Sequence, residues 1–218
     1  MLLDLDRDIT LAINGSDSLI MDSIMLIISS TYTWIPLGLF VLYVVYKNYG
    51  WKTLLFVVLG IGLCIFLADF VSSGIVKPLV ARWRPARDPE IMYMVDVVDG
   101  YRGGRYGFFS SHAANTMSVA VFLCMIFKKR LLTCLFVSWS LLNCWSRMYL
   151  GVHYFGDICV GIIWGVLVGL GVYALFYCVC KPKSIDNPTP LAAAVLLTYI
   201  IGLLLAPIVN AGSVIVWG

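Results

Sequence analysis

Charge is scarce in this chain, and histidine scarcer still. Asp, Glu, Lys and Arg make up 12% of the 218 residues, and there are two histidines. Soluble domains carry about twice that share of charge, so an ordinary water-soluble globule is excluded. The net charge of +3 gives no basis for nucleic-acid binding. No cysteine falls in the long polar loop after residue 84, which excludes a disulfide framework there. The seven cysteines (Cys64, Cys124, Cys134, Cys144, Cys159, Cys178 and Cys180) lie in or beside apolar runs, where they pack as small polarizable side chains. Cys178-Val-Cys180 has the spacing of a lipidation or metal pair but no His or Cys partner nearby. Internal repeats and low-complexity tracts are absent. The first twenty residues hold Asp4, Asp6, Asp8 and Asp17 against Arg7 alone, the wrong sign for the basic start of a cleavable leader.

What remains is hydrocarbon. Hydrophobic residues make up 61% of the chain, and a helix of roughly 20 apolar residues crosses a bilayer core of about 30 Å. The expected architecture is all-α: one polytopic membrane domain over residues 1–218, with spans near Ile20–Tyr46, Thr53–Gly74, Ser111–Phe127, Leu131–Trp145, Gly156–Cys180 and Pro190–Val209. Before them, residues 2–14 place Leu2, Leu5, Ile9 and Ile13 near one face, as in a short interfacial helix. Loops on one side carry seven cations (Lys47, Lys52, Lys128, Lys129, Arg130, Lys181 and Lys183) against Asp186. The remaining residues hold eight cations against eleven acids. The positive-inside rule then assigns the first side to the cytoplasm and both termini to the periplasm or exterior of an inner-membrane protein. The connection from Arg84 to Ser110, rich in Gly, Pro and Tyr, is long enough to serve as a lid or binding surface. Met92, Met94, Val95 and Val97 suggest that part of it rests on the membrane.

The rare polar residues concentrate in three short stretches beside the spans: KPLVARWRP (Lys77–Pro85), SSH (Ser110–His112) and SRMYLGVHYFGD (Ser146–Asp157). Ionisable groups at membrane depth are expensive and usually functional. Lys77, Arg84 and Arg147 with His112 and His153 suit a phosphate. Guanidinium forks bind two oxygens at once, and several cations stabilise charge spread over the equatorial oxygens of a transferring phosphoryl group. His153 and Asp157, four apart, can touch on a helix. A carboxylate on one imidazole nitrogen leaves the other nitrogen's lone pair free to attack. Ser110 or Ser111 can cap the next helix, whose free N–H groups form an anion site. His112 can serve as general acid, then base. Arg82 and Arg87 fall outside this spacing and read as anchors. Asp69, inside the second span, reads as the partner of a nearby cation or hydroxyl.

These stretches resemble the signature of the type 2 phosphatidic acid phosphatase superfamily, the lipid phosphate phosphatases: KxxxxxxRP, PSGH and SRxxxxxHxxxD. Lys77–Pro85 and Ser146–Asp157 match fully, whereas Phe109-Ser110-Ser111-His112 departs by Phe for Pro and Ser111 for Gly. The resemblance implies a metal-independent phosphatase, without cofactor, acting on a phosphorylated membrane lipid. His153 would be the nucleophile, Asp157 its orienter and His112 the acid. Lys77, Arg84, Ser110 and Arg147 would hold phosphate, with the Ser111 hydroxyl as an added donor. The segment Gly100–Asn115 looks similar to lipid A phosphatases of this superfamily, where Arg102 and Arg105 could meet further phosphates or a sugar. Undecaprenyl diphosphate, phosphatidylglycerol phosphate and phosphatidic acid are alternative substrates. A lipid phosphotransferase shares the first half-reaction. A transporter fits less well, because transporter sites sit near the bilayer midplane and this cluster lies at span ends.

Overall fold

The computed structural model describes residues 2–206, and among them all regular structure is helical. The helices are α1 (Leu2–Ile13), α2 (Leu19–Ser29), α3 (Thr31–Asp69), α4 (Lys77–Val80), α5 (Ser111–Phe127), α6 (Arg130–Tyr149), α7 (Phe155–Val179) and α8 (Thr189–Leu205). A π-helical turn, Phe70–Val76, joins α3 to α4, so helix runs almost unbroken from Thr31 to Val80. The expected span Pro190–Val209 corresponds to α8, and its last three positions lie outside the described residues.

Two helical stretches, Thr31–Val80 and Phe155–Val179, are long and apolar enough to cross a membrane, while α2, α5 and α8 are apolar but shorter. The first departs from the sequence expectation at its start, while its fold at Gly50 falls in the expected connection between Tyr46 and Thr53. The chain breaks at Ser30, whose extended backbone ends α2, so Ile20–Tyr46 is not one helix. Ser18 caps α2 by accepting the N–H of Met21 at 3.3 Å. Fifty helical residues would also measure about 75 Å. At Gly50 the backbone takes φ 79°, a conformation that costs glycine little, and the helix folds back on itself. The two halves lie side by side: Gly38 and Val41 from one, Ile61 and Ile65 from the other, line the same cavity.

The tightest seam sets α5 on α7. Gly161, Gly165 and Gly169 recur every fourth residue, and a methyl at any of them would lie 2.6–2.7 Å from the carbonyl oxygen of Ser110, Ala114 or Ser118. Small residues at this spacing let helix backbones touch. The seam also fixes the two N-termini against each other: Ser110 N–H donates to the Asp157 carbonyl at 3.1 Å. At the far end of α5, the Ile185 N–H and Ser184 hydroxyl donate to the Phe127 carbonyl, and Lys128 to that of Pro182. The motif residues and the lysine-rich turns therefore occupy opposite ends of the bundle.

α1 presents a different face from the one expected. Asp6, Thr10 and Asn14, one turn apart, point into the protein, while Leu3 and Leu5 are exposed. Asp6 accepts the N–H of Gly156 at 2.6 Å and Thr10 that of Phe155 at 3.0 Å, so α1 satisfies the free donors at the start of α7. The long connection is likewise packed down. Val95 and Val97 join Ala86, Ile91, Tyr154 and Leu11, whereas Tyr93 and Met94 stay exposed. All seven cysteines are free thiols.

Candidate active site

The three stretches converge where the N-termini of α5 and α7 meet the end of α6. His153 is buried, and it stands in the loop before α7 rather than on the helix, with Asp157 in the first helical turn. The pair meets through the cap instead of along a helical face. Asp157 Oδ2 accepts the Tyr154 N–H at 3.1 Å and faces His153 Nδ1 at 3.4 Å. Gly107 is required here, because a Cβ would stand 2.8 Å from Asp157 Oδ2. The other imidazole nitrogen, Nε2, lies 3.4 Å from Arg84 Nη1. Burial first, then Arg84 and Arg147, hold the His153 pKa well below the usual imidazole range. The ring is therefore neutral at pH 7 and offers a lone pair.

Arg84 is buried. Its Nε donates to the Tyr106 carbonyl at 3.1 Å and its Nη1 to that of Val152 at 3.4 Å. Burial and then Arg147 push its pKa down to about 10, so it stays charged at pH 7. Arg147 is almost fully buried, donating to Ser29 Oγ at 2.5 Å and Tyr101 Oη at 2.9 Å. Its Nε is buried without a partner, an arrangement rare in native proteins and suited to an anion. Lys77 donates to Ser111 Oγ at 2.9 Å and Ser73 Oγ at 3.1 Å, and the Ser73 hydroxyl donates to Asp69 at 3.0 Å. Ser110 is the cap, its Oγ accepting the Ala113 N–H at 3.3 Å. His112 follows it in the first turn of α5. Arg84, Arg147 and Lys77 act electrostatically on both imidazoles.

Arg82, expected as an anchor, is instead in the heart of the network. Its Nη1 donates to Asp157 Oδ1 at 2.9 Å and its Nη2 to Asp6 Oδ2 at 2.6 Å, and the guanidinium lies 4.0 Å over the Tyr154 ring. Two signals were available: the surplus of acids near the N-terminus, and a second arginine two residues from Arg84 in an extended segment. Ser29 and Tyr101 carried no such signal. Arg87 and Arg102 bind loop carbonyls, of Gly103 and Ala86, and Arg105 stacks near Trp83 and Tyr106.

No group of three metal-ligand side chains occurs among the described residues. Lys77, Arg84 and Arg147 bring three positive charges to bear on the two imidazoles, an arrangement suited to an anion.

A family model described as the PAP2 superfamily matches residues 51–179. A lipid A 4'-phosphatase of Bacteroides thetaiotaomicron is 38% identical over 191 residues, 87% of this chain and 84% of that protein. One from Porphyromonas gingivalis is 35% identical over 175 residues, 80% of this chain and 74% of that protein. In fold, the chain is similar to a transmembrane PAP2 type phosphatidylglycerolphosphate phosphatase from Bacillus subtilis. That likeness has a TM-score of 0.65 at 18% identity and covers 84% of this chain and 89% of that one.

Proposed function

Since the chain belongs to the PAP2 superfamily and is a membrane phosphomonoester hydrolase acting on lipid phosphate, we propose that it removes a phosphate of lipid A, the 4'-phosphate by analogy with its relatives, through a phosphohistidine. The observation that carries this is the His153 imidazole: buried, backed by Asp157 at Nδ1 and facing the Arg84 guanidinium at Nε2.

Arg84, Arg147, Lys77 and the Ser111 hydroxyl hold the phosphate oxygens, and the free Arg147 Nε donates to one of them. Ser110 shapes the helix terminus beneath. His153 Nε2 attacks phosphorus; the N–P bond forms as the P–O bond to the sugar breaks. His112 gives its proton to the departing oxygen. Water then attacks the phosphohistidine, His112 takes its proton, and phosphate leaves with His153 restored. Asp157 keeps the proton on Nδ1 throughout and stabilises the charged ring of the intermediate. Arg82 and Asp6 hold Asp157 in register.

The reading extends to placement. On this reading the catalytic domain takes in residues 1–218, with six crossings among the described residues: two in the stretch folded at Gly50, then α5, α6, α7 and α8. The lysine-rich turns lie at the end opposite the site, so the positive-inside rule puts the site at the periplasmic face of the inner membrane.

The test is phosphate release by purified protein from lipid A, undecaprenyl diphosphate, phosphatidylglycerol phosphate and phosphatidic acid, with EDTA present. Wild type should prefer lipid A and form an acid-labile phosphoprotein. His153→Ala should lose about 10⁴-fold or more of kcat and all labelling. Near-normal turnover in that variant would remove the nucleophile assignment, and preference for another lipid the substrate.

A further inference from the structure

Beneath the phosphate site lies space that the chemistry above does not use. A cavity of about 400 Å³ descends from Ser29 and His112 between α2, both halves of α3, α5 and α6. Leu37, Val41 and Phe136 form its buried back wall. Its front edge, at Thr31, Gly38 and Ile65, is exposed. Beside that edge Ile35, Leu39 and Phe66 are exposed too, so the mouth opens through an apolar outer surface. At about 30 Å³ for each water-sized group, the cleft has room for about a dozen methylenes.

Two atoms interrupt the apolar walls. Asn115 Oδ1, an acceptor, and Trp139 Nε1, a donor, are both buried without a hydrogen-bond partner, and both residues line the cleft. Their polar neighbours are already engaged: the Thr116 hydroxyl with the His112 carbonyl and Ser140, Asn143 Nδ2 with the Trp139 carbonyl, Trp34 Nε1 with the Ile28 carbonyl. Buried polar atoms are nearly always paired, so this acceptor and donor mark a place for a ligand group. A hydroxyl can satisfy either kind of atom, giving its proton to Oδ1 or accepting from Nε1–H. An ester offers only acceptors, and a plain alkyl chain offers nothing. Asn115 lies three residues beyond His112 on α5, within one turn or about 5.4 Å along the axis. The hydroxyl therefore belongs close to the phosphate-bearing head.

We propose that the cleft binds one acyl chain of the lipid dephosphorylated above it, and that Asn115 and Trp139 select a chain bearing a hydroxyl near its head. The link to a phosphorylated lipid rests on the phosphatase reading; the preference for a hydroxylated chain does not.

Binding is measured first, without phosphate. Protein in nanodiscs is titrated with 3-hydroxytetradecanoic or tetradecanoic acid against a fluorescent fatty acid. The hydroxylated probe should bind about 10-fold more tightly or better. Combined Asn115→Leu and Trp139→Phe should bring the two within about 2-fold, leaving tetradecanoic acid at its wild-type affinity. Asn115→Leu alone serves if the pair fails to fold. Equal affinities in wild type, or a preference that survives the substitutions, would overturn the proposal and leave water as the occupant. Next, kcat/KM is compared on two phosphorylated glucosamine lipids carrying these same chains. The same ratio there supports the proposal, and turnover without preference overturns it while the phosphatase reading stands. Preferential binding with no phosphate release from either lipid would keep the cleft assignment and sink the phosphatase reading instead.

Discussion

Arg82 and Arg147 stand at the same site and are used in opposite ways. Arg82 spends its donors on two carboxylates, Asp6 and Asp157, so its charge is cancelled within the fold. Arg147 hydrogen-bonds neutral hydroxyls and keeps one nitrogen free, and Arg84 bonds carbonyls and faces an imidazole. Neither makes an ion pair among the described residues. The compensated guanidinium belongs to the architecture; the uncompensated ones are those the proposed phosphate would meet. Burying cations without counterions costs stability, a cost that a ligand of opposite charge would offset.

Breaking this contrast from the ligand side has the largest expected effect. Arg147→Met should lower kcat/KM by about 10³-fold yet raise the thermal midpoint in detergent, since one of several mutually repelling charges disappears. A lower midpoint would show that Arg147 supports the fold after all. The architectural arm should respond inversely. Arg82→Met leaves two acids with an unfilled partner and should lose about 2–3 kcal/mol of stability, with kcat/KM down about 10–100-fold. Unchanged stability would erase the distinction.

Arg84→Met sharpens the contrast through pH. Arg84 is among the charges that depress the His153 pKa, so its removal lets that pKa rise. The acid limb of kcat/KM should then shift to higher pH, which a pH–rate profile reads directly; a static limb would mean that His153 does not set it. The smallest effect is expected from Asp6→Asn, which can still accept the Gly156 N–H and should cost kcat about 3–10-fold with KM unchanged. A change in KM alone would place α1 in binding instead.

The helical segments were legible in the sequence because hydrocarbon length is a coarse requirement: α5 falls on the expected residues, and α7 within one residue of them at each end. The turn at Gly50 falls in the expected connection between Tyr46 and Thr53, but the break at Ser30 was not legible, since a break inside an apolar run changes backbone angles without changing hydropathy. The site was legible where spacing carried it, through Lys77, Arg84, Arg147, His112, His153 and Asp157. Arg82 was misread because its partners lie 75 and 76 residues away; the acid surplus near the N-terminus and the neighbouring arginine hinted at a pairing without naming its partners. Ser29 and Tyr101 are ordinary residues made relevant by where Arg147 ends up.

The hold of α1 on α7 sets an order of assembly. Asp6 leaves the ribosome early but must wait for Gly156, 150 positions later, before its hydrogen bond exists. A nascent chain that ends between Arg82 and Gly156 carries Arg82 without Asp157 and Asp6 without α7. The hold of the first segment on α7 can thus close only late in biosynthesis, after most of the chain has been made.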